Sequence, residues 1–316
     1  MSRFKRSAVL AIVLALFAQR AAAEKLPVVA SFSILADLVQ VVGGERVAVT
    51  SLVGPDADAH VFDPTPQDAK RLARARLVVV NGLGFEGWQQ RLVQAAGYQG
   101  EVLVASTGVQ PRGHIHEHED HQGHDHGHLD PHAWQDPRNV MLYVANIAAA
   151  LARADPKGAA VYRANAAAYQ VLLRELDAWA GARFAGIPVD QRRAVTAHAA
   201  FDYLAARYGL RLTALQALST NSEPDARAMG DLVRRLRADG TVAVFAENLH
   251  NARLLRQLAG EAGLAVGGKL YSDALSGPRG AAPTYLALMR YNIDQLARGM
   301  QGSKAGALRT PARPAN

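Results

Sequence analysis

Leu26-Pro-Val-Val-Ala-Ser-Phe-Ser-Ile-Leu-Ala-Asp-Leu-Val-Gln-Val-Val-Gly-Gly-Glu-Arg-Val-Ala-Val-Thr-Ser-Leu-Val53 decides the architecture. Pro27–Ser31 reads as a short apolar strand, Ile34–Val42 as a helix ended by Gly43-Gly44, and Val47–Val53 as a second strand. Strand, helix and strand in that order make a βα unit of a parallel sheet.

The pattern repeats downstream. Thr65-Pro66-Gln67-Asp68 is a helix start, with a Thr cap, proline at the first helical position and a carboxylate in the first turn. Leu77–Val80 and Glu101–Ala105 read as further strands. Asp136-Pro137 opens a helix to about Ala152, and Asp155-Pro156 opens a longer one to about Trp179. A second series follows: strand Ala194–Thr196, helix Ala200–Tyr208, strand Leu210–Leu218, helix Pro224–Arg237 and strand Thr241–Ala246. Helix Asn251–Ala262, strand Leu264–Val266 and helix Thr284–Arg298 close it. The expected class is therefore α/β, with lobes at 24–154 and 182–300, a long helix between them, and a frayed tail at 301–316.

The remaining features bound the function. The 316 residues suffice for two cores, and 49% hydrophobic with 20% charged residues is a folded composition. Residues 1–23 have a basic start, an uninterrupted apolar run over Ala8–Ala18 and Ala21-Ala22-Ala23 before Glu24. That is a signal peptide cleaved near Ala23, because the run falls short of the roughly 20 residues a membrane span needs. Removing Arg3, Lys5, Arg6 and Arg20 from 35 basic residues leaves 31 against 28 acidic, so the formal +7 falls to +3. Nucleic acid is not an expected partner. With no cysteine, thiolate metal sites, disulfides and an N-terminal lipid anchor on cysteine are excluded.

Four residues stand where strands end. His60 follows the second strand in Gly54-Pro-Asp-Ala-Asp-Ala-His60, and His132 lies beyond the fourth in Leu129-Asp-Pro-His132. His198 ends Val195-Thr-Ala-His198, and Asp273 follows the last strand in Leu270-Tyr-Ser-Asp273. Open α/β sheets bind ligands at these carboxyl ends. If the lobes face each other, three imidazoles and a carboxylate converge, a donor set suited to tetrahedral zinc; manganese or ferrous iron favours more oxygen. Asp63, Asp130 or Asp136 could orient an imidazole through its other nitrogen. His250 also follows a strand end, but reads better as a surface residue.

Asp58-Ala-His60-Val-Phe-Asp-Pro64, Asp130-Pro-His132-Ala-Trp-Gln-Asp-Pro137, Ala197-His198-Ala-Ala-Phe201 through Gly209, and Tyr271-Ser-Asp273-Ala-Leu275 occur in that order. Together they resemble the signatures of the zinc/manganese solute-binding proteins of ABC transporters, TroA/ZnuA-like and closest to the AztC-like zinc branch. The resemblance spans essentially the whole mature chain. It implies two Rossmann-like (βα)4 lobes joined by one rigid helix, here 155–181, with metal held at the lobe interface by His60, His132, His198 and Asp273. It further implies that Zn2+ is a transported ligand and not a resident cofactor, and that an inner-membrane ABC permease receives it. A periplasmic metallochaperone is a second expected partner, and the protein itself is expected to be a periplasmic monomer. Manganese members usually carry Glu at the third position, so His198 favours zinc. The cysteine pair of some zinc members is missing. A manganese receptor, or an adhesin or metal buffer without a transport role, remains the alternative.

His114, His116, His118, His121, His124, His126 and His128 crowd Gly113–His128 among Glu117, Glu119, Asp120 and Asp125. Such a segment cannot bury a core and is expected to be a mobile loop that captures metal weakly or docks a delivering partner. Enzymatic hydrolysis is disfavoured. No H-E-x-x-H occurs, and Asp273 would close the open position a catalytic zinc needs. A continuous helix disfavours wide hinge closure, so capture and release are expected as local motions of the His132 and Asp273 loops.

Overall fold

A computed structural model describes residues 24–113, 129–216, 226–249 and 252–302. The leader, the histidines at 114–128, His250 and the tail beyond 302 lie outside them.

β1 (Leu26–Phe32), α1 (Ser33–Gly43) and β2 (Val47–Val53) form the expected unit, with the strands parallel from Leu26 beside Val47 to Phe32 beside Val53. β3 (Leu77–Val80) pairs with the other edge of β1, and β4 (Glu101–Val104) follows it, giving a parallel sheet of order β2-β1-β3-β4. The second lobe repeats the plan. β5 (Arg193–His198), β6 (Arg211–Gln216), β7 (Ala243–Glu247) and β8 (Ala265–Leu270) form a parallel sheet of order β6-β5-β7-β8. In each sheet the strand order reverses around the first strand, which opens a crevice at the carboxyl ends.

The helices start where the caps are. α2 (Pro66–Ala73) has a capping box: Asp68 N–H donates to Thr65 Oγ1 at 3.3 Å, and Thr65 N–H donates to Asp68 Oδ2 at 2.9 Å. α3 (Gln89–Ala95) is a short helix between β3 and β4. α4 (Pro137–Ala154) is capped by Asp136, whose Oδ1 accepts from Arg138 N–H at 2.8 Å.

The long helix begins one turn later than expected. Pro156–Gly158 forms a 3-10 turn, and α5 then runs over Ala159–Ala185 for 27 residues, about 40 Å. Tyr162, Ala166, Tyr169, Leu173, Leu176, Ala180 and Phe184 are its buried residues, spaced by three or four so that one stripe faces inward. At its start Asp155 Oδ2 accepts from Arg46 and from Tyr162 Oη. Further along, Asp177 takes Arg207 in a two-bond pair.

In the second lobe, α6 (Asp202–Tyr208), α7 (Ala226–Ala238), α8 (Ala252–Ala262) and α9 (Tyr285–Gly302) complete the chain. β8 runs past Gly267-Gly268, where the sequence suggested an end. A Cβ at Gly267 would collide with the Phe245 ring, so glycine lets the strand pass at close range. One hydrophobic core runs from the first sheet through α4, α5 and α9, and a smaller one lies beneath α7 and α8. Among the described residues, no helix is long and apolar enough to cross a membrane.

α9 is tied to the first lobe. Its Tyr285 N–H donates to Asp37 Oδ2 at 2.8 Å, and Tyr285 Oη donates to the Trp134 carbonyl at 2.8 Å. Burial pushes the Asp37 carboxyl up to about 6, against the lowering effect of that hydrogen bond. A carboxyl raised by folding stabilises fully below its unfolded pKa of about 3.9 and loses that contribution as pH rises through about 6. Asp37→Asn keeps the acceptor without the charge. It is expected to melt a few degrees above the parent near pH ~7.5, with the gap closing toward pH ~4.5; a gap that does not vary with pH contradicts this.

Candidate metal centre

The crevices of the two sheets face each other, and each lobe brings two donors. His60 sits in the loop between β2 and α2, and His132 in the loop before α4. His198 is the last residue of β5, and Asp273 lies three residues past β8. One ligand atom from each lies within 4.8 Å of all the others. The Nε2 of His60 is 3.3 Å from that of His132 and 3.4 Å from Asp273 Oδ2. His132 Nε2 is 3.6 Å from Asp273 Oδ1, and His198 Nε2 is 3.0 Å from Asp273 Oδ2. Metal–ligand bonds of about 2.0–2.2 Å put ligand atoms about 3–4 Å apart, so these four donors lie close enough to share one cation.

Carboxylates behind two of the rings fix which nitrogen faces inward. Asp130 Oδ1 lies 2.8 Å from His132 Nδ1 and accepts from the His132 backbone N–H at 2.9 Å. Glu247 Oε2 lies 2.7 Å from His198 Nδ1, while its Oε1 accepts from the N–H groups of Ala197 and His198 at 2.8 and 3.0 Å. A carboxylate only accepts, so each Nδ1 must donate, which leaves the Nε2 lone pair for a metal. The loop carrying His132 is pinned further. Asn81 Nδ2 donates to the Pro131 carbonyl at 2.9 Å, and Asn81 is itself held by Tyr143 Oη and by Glu86, which accepts its N–H. His60 is placed differently. Its N–H donates to Asp58 Oδ1 at 2.8 Å, and its ring stands edge-on to Phe85 at 4.7 Å.

The result is a buried cluster of acceptors. His132, His198 and Asp273 are wholly buried, and neither carboxylate oxygen of Asp273 finds a hydrogen-bond donor other than the facing imidazoles. Lone pairs pointed at one another in a water-excluded space require positive charge between them. The titration behaviour shows the same demand. Burial alone would raise the Asp273 carboxyl, yet the His198 and His132 imidazoles hold it well below the usual range. Burial would lower His198, but the Glu247 and Asp273 carboxylates outweigh it and hold its pKa well above the ordinary value. The cluster therefore binds either protons or a metal.

Of the three carboxylates suggested as supports, Asp130 alone serves. Asp136 caps α4, and Asp63 lines a surface cleft of about 600 Å³ with Trp88, Lys70 and Arg91, a cleft to which none of the four donors belongs. Glu247, which the sequence pattern does not single out, reaches His198 because β7 lies next to β5. The seven tract histidines lie outside the described residues, but the residues flanking them do not. Gly113 and Leu129 pair as an antiparallel bridge, and Asp130 N–H donates to the Arg112 carbonyl at 2.8 Å, so the two residues that flank the tract lie side by side, a few residues from His132.

A family model described as ZnuA, zinc-uptake complex component A, periplasmic, matches residues 28–299. The chain is 34% identical over 278 residues to the manganese-binding lipoprotein MntA of Halalkalibacterium halodurans, covering 88% of this chain and 89% of that one. It is 32% identical over 277 residues to the iron-binding protein YfeA of Yersinia pestis, covering 88% and 87%. The solved periplasmic zinc-binding protein TroA of Treponema pallidum superimposes with a TM-score of 0.79 at 26% identity, over 87% of this chain and 99% of that one.

Because the His198 imidazole holds its proton tightly, a metal entering there must displace it. Glu247→Gln is expected to weaken zinc binding by roughly 10–100-fold and to reduce the protons released per zinc, read by calorimetry in buffers of different ionisation enthalpy. Unchanged affinity and proton release would show that Glu247 does not tune the ring.

Proposed function

The chain belongs to the ZnuA family, and from that premise we propose that it captures Zn2+ in the periplasm and delivers it to an inner-membrane ABC permease for high-affinity uptake. Membership makes it a metal-binding solute-binding component of an ABC transporter and not an enzyme. The finer reading, zinc, rests on one observation: three imidazoles and one carboxylate, a nitrogen-rich donor set, converge within 4.8 Å of one another. Nitrogen-rich four-coordination suits zinc, whereas manganese and ferrous iron favour more oxygen donors.

In this reading the metal is cargo. His60, His132, His198 and Asp273 wrap it, the two lobes act as jaws, and the long helix α5 sets the distance between them. Three neutral imidazoles and one carboxylate leave a divalent ion with a local charge of +1, a balance that permits release. Asp130 and Glu247 add negative charge behind two rings and hold them in place before the metal arrives. The leader directs export, with cleavage near Ala23, and the mature chain works as a monomer. The tract Gly113–His128 supplies weak imidazole sites next to His132, where metal can be gathered or accepted from a periplasmic metallochaperone.

A manganese or iron receptor is the second reading, favoured by the names of the relatives. The two separate on competition. The mature protein is expected to hold one tightly bound zinc that equimolar manganese does not displace, and His198→Ala is expected to lose it. Preferential retention of manganese would favour the second reading. Deleting Gly113–His128 is expected to lower total zinc stoichiometry while leaving one tight site; loss of the tight site would show that the tract belongs to it.

A further inference from the structure

The four donors are unequally fastened. Asp130 and Asn81 hold the His132 loop, and Glu247 holds His198. The Asp273 loop, although part of the second lobe, is pinned to the first. The Ser272 carbonyl accepts from Trp134 Nε1 at 3.0 Å and from Gln135 Nε2 at 2.9 Å, and Leu275 N–H donates to Ser33 Oγ at 3.0 Å. His60 is the exception. Its side chain is 7% exposed where the other three are at 0%, and its neighbour Val61 is largely exposed. The motion expected of the His132 and Asp273 loops would break buried side-chain hydrogen bonds, whereas the side-chain bonds that tie the His60 loop to the other lobe are exposed.

What holds that loop to the opposite lobe is Asp56. Its N–H donates to the Leu275 carbonyl at 2.9 Å, its Oδ2 accepts from Gly277 N–H at 3.2 Å, and its Oδ1 accepts from Asn248 Nδ2 at 3.2 Å. All three partners belong to the second lobe, two of them just past Asp273. Asp56 adopts φ of 51°, a left-handed conformation that Gly, Asn and Asp enter more readily than other residues. That backbone turn allows one residue to present both its N–H and its carboxylate across the lobe interface. At the loop's inner side, Trp88 Nε1 donates to the Ala59 carbonyl at 2.9 Å, so the loop is hinged on its own lobe and latched on the other.

We propose that Asp56 is the positioning residue that sets the rate of metal exchange, by clasping the His60 loop to the Asp273 loop across the edge of the site where the least buried of the four donors lies. The proposal rests on the four-donor reading above. Metal leaves when the clasp opens and His60 swings outward, with the other three donors still in place. A permease that engaged Asp56 or its partners would thereby trigger release.

Asp56→Gly tests this without disturbing the fold, since glycine accepts the left-handed backbone and keeps the N–H bond to Leu275. Zn2+ dissociation from the loaded protein, followed with excess chromogenic chelator, is expected to be on the order of tenfold faster, about the loss of one to two hydrogen bonds. Equilibrium affinity should change less, because the clasp lies across entry as well as exit. Asp56→Asn, which tolerates the same backbone and retains an acceptor, is expected to restore most of the parental rate, and the melting temperature of the metal-free protein should fall by no more than a few degrees in either variant. An unchanged rate in Asp56→Gly, an Asn variant as fast as the Gly variant, or a large drop in melting temperature would overturn the clasp alone. A parent that binds no zinc would overturn the four-donor reading and the clasp together.

Discussion

Four electron-pair donors aimed at one point in a space closed to water repel one another unless a cation sits between them, and much of the molecule is arranged around that demand. Two of the rings cannot turn away, because Asp130 and Glu247 hold their other nitrogens. Asp273 cannot turn away either, because its loop is bonded to the first lobe on both sides. The mutual stabilisation of Asp273 and His198 shows how strongly the cluster calls for positive charge. A site pre-formed in this way loses little entropy when it binds.

The lobe interface serves the same end. A continuous helix of 27 residues with a single buried stripe fixes the spacing of the two sheets, and the hydrogen bonds from Tyr285, Trp134 and Gln135 knit their facing loops. Large-scale opening would have to break these buried contacts together. Exchange is then a local event at the loop that carries His60, the least enclosed of the donors. Tight capture and prompt transfer become compatible because they depend on different residues: the enclosed donors set affinity, and the edge loop sets rate.

Much of this was legible in the sequence because it is local. Alternating apolar runs and helical stretches gave two βα series, and Thr65-Pro66 and Asp136-Pro137 marked helix starts that the structure confirms as caps. The four donors could be found because parallel sheets place their functional residues at strand ends. The rest depended on contacts between distant positions. Glu247 lies beside His198 because β7 pairs with β5 and not with β6, an order no single segment encodes. Gly267-Gly268 looked like a strand end because the groups that crowd them, the Phe245 ring at Gly267 and the Gln295 side chain at Gly268, lie on other elements. Asp56 looked like an ordinary polar loop residue, since neither its left-handed backbone nor its partners at 248, 275 and 277 can be inferred from Gly-Pro-Asp. Which metal the site prefers is likewise a matter of coordination geometry, and motifs shared with relatives named for manganese, iron and zinc do not carry it.

The most direct test is anomalous diffraction at the zinc edge from crystals of the zinc-loaded mature protein. The strongest peak should fall between the Nε2 atoms of His60, His132 and His198 and the carboxylate of Asp273, at about 2.0–2.2 Å from each. A strongest peak elsewhere, or a metal at this point that leaves Asp273 beyond bonding distance and completes its shell with water, would contradict the account.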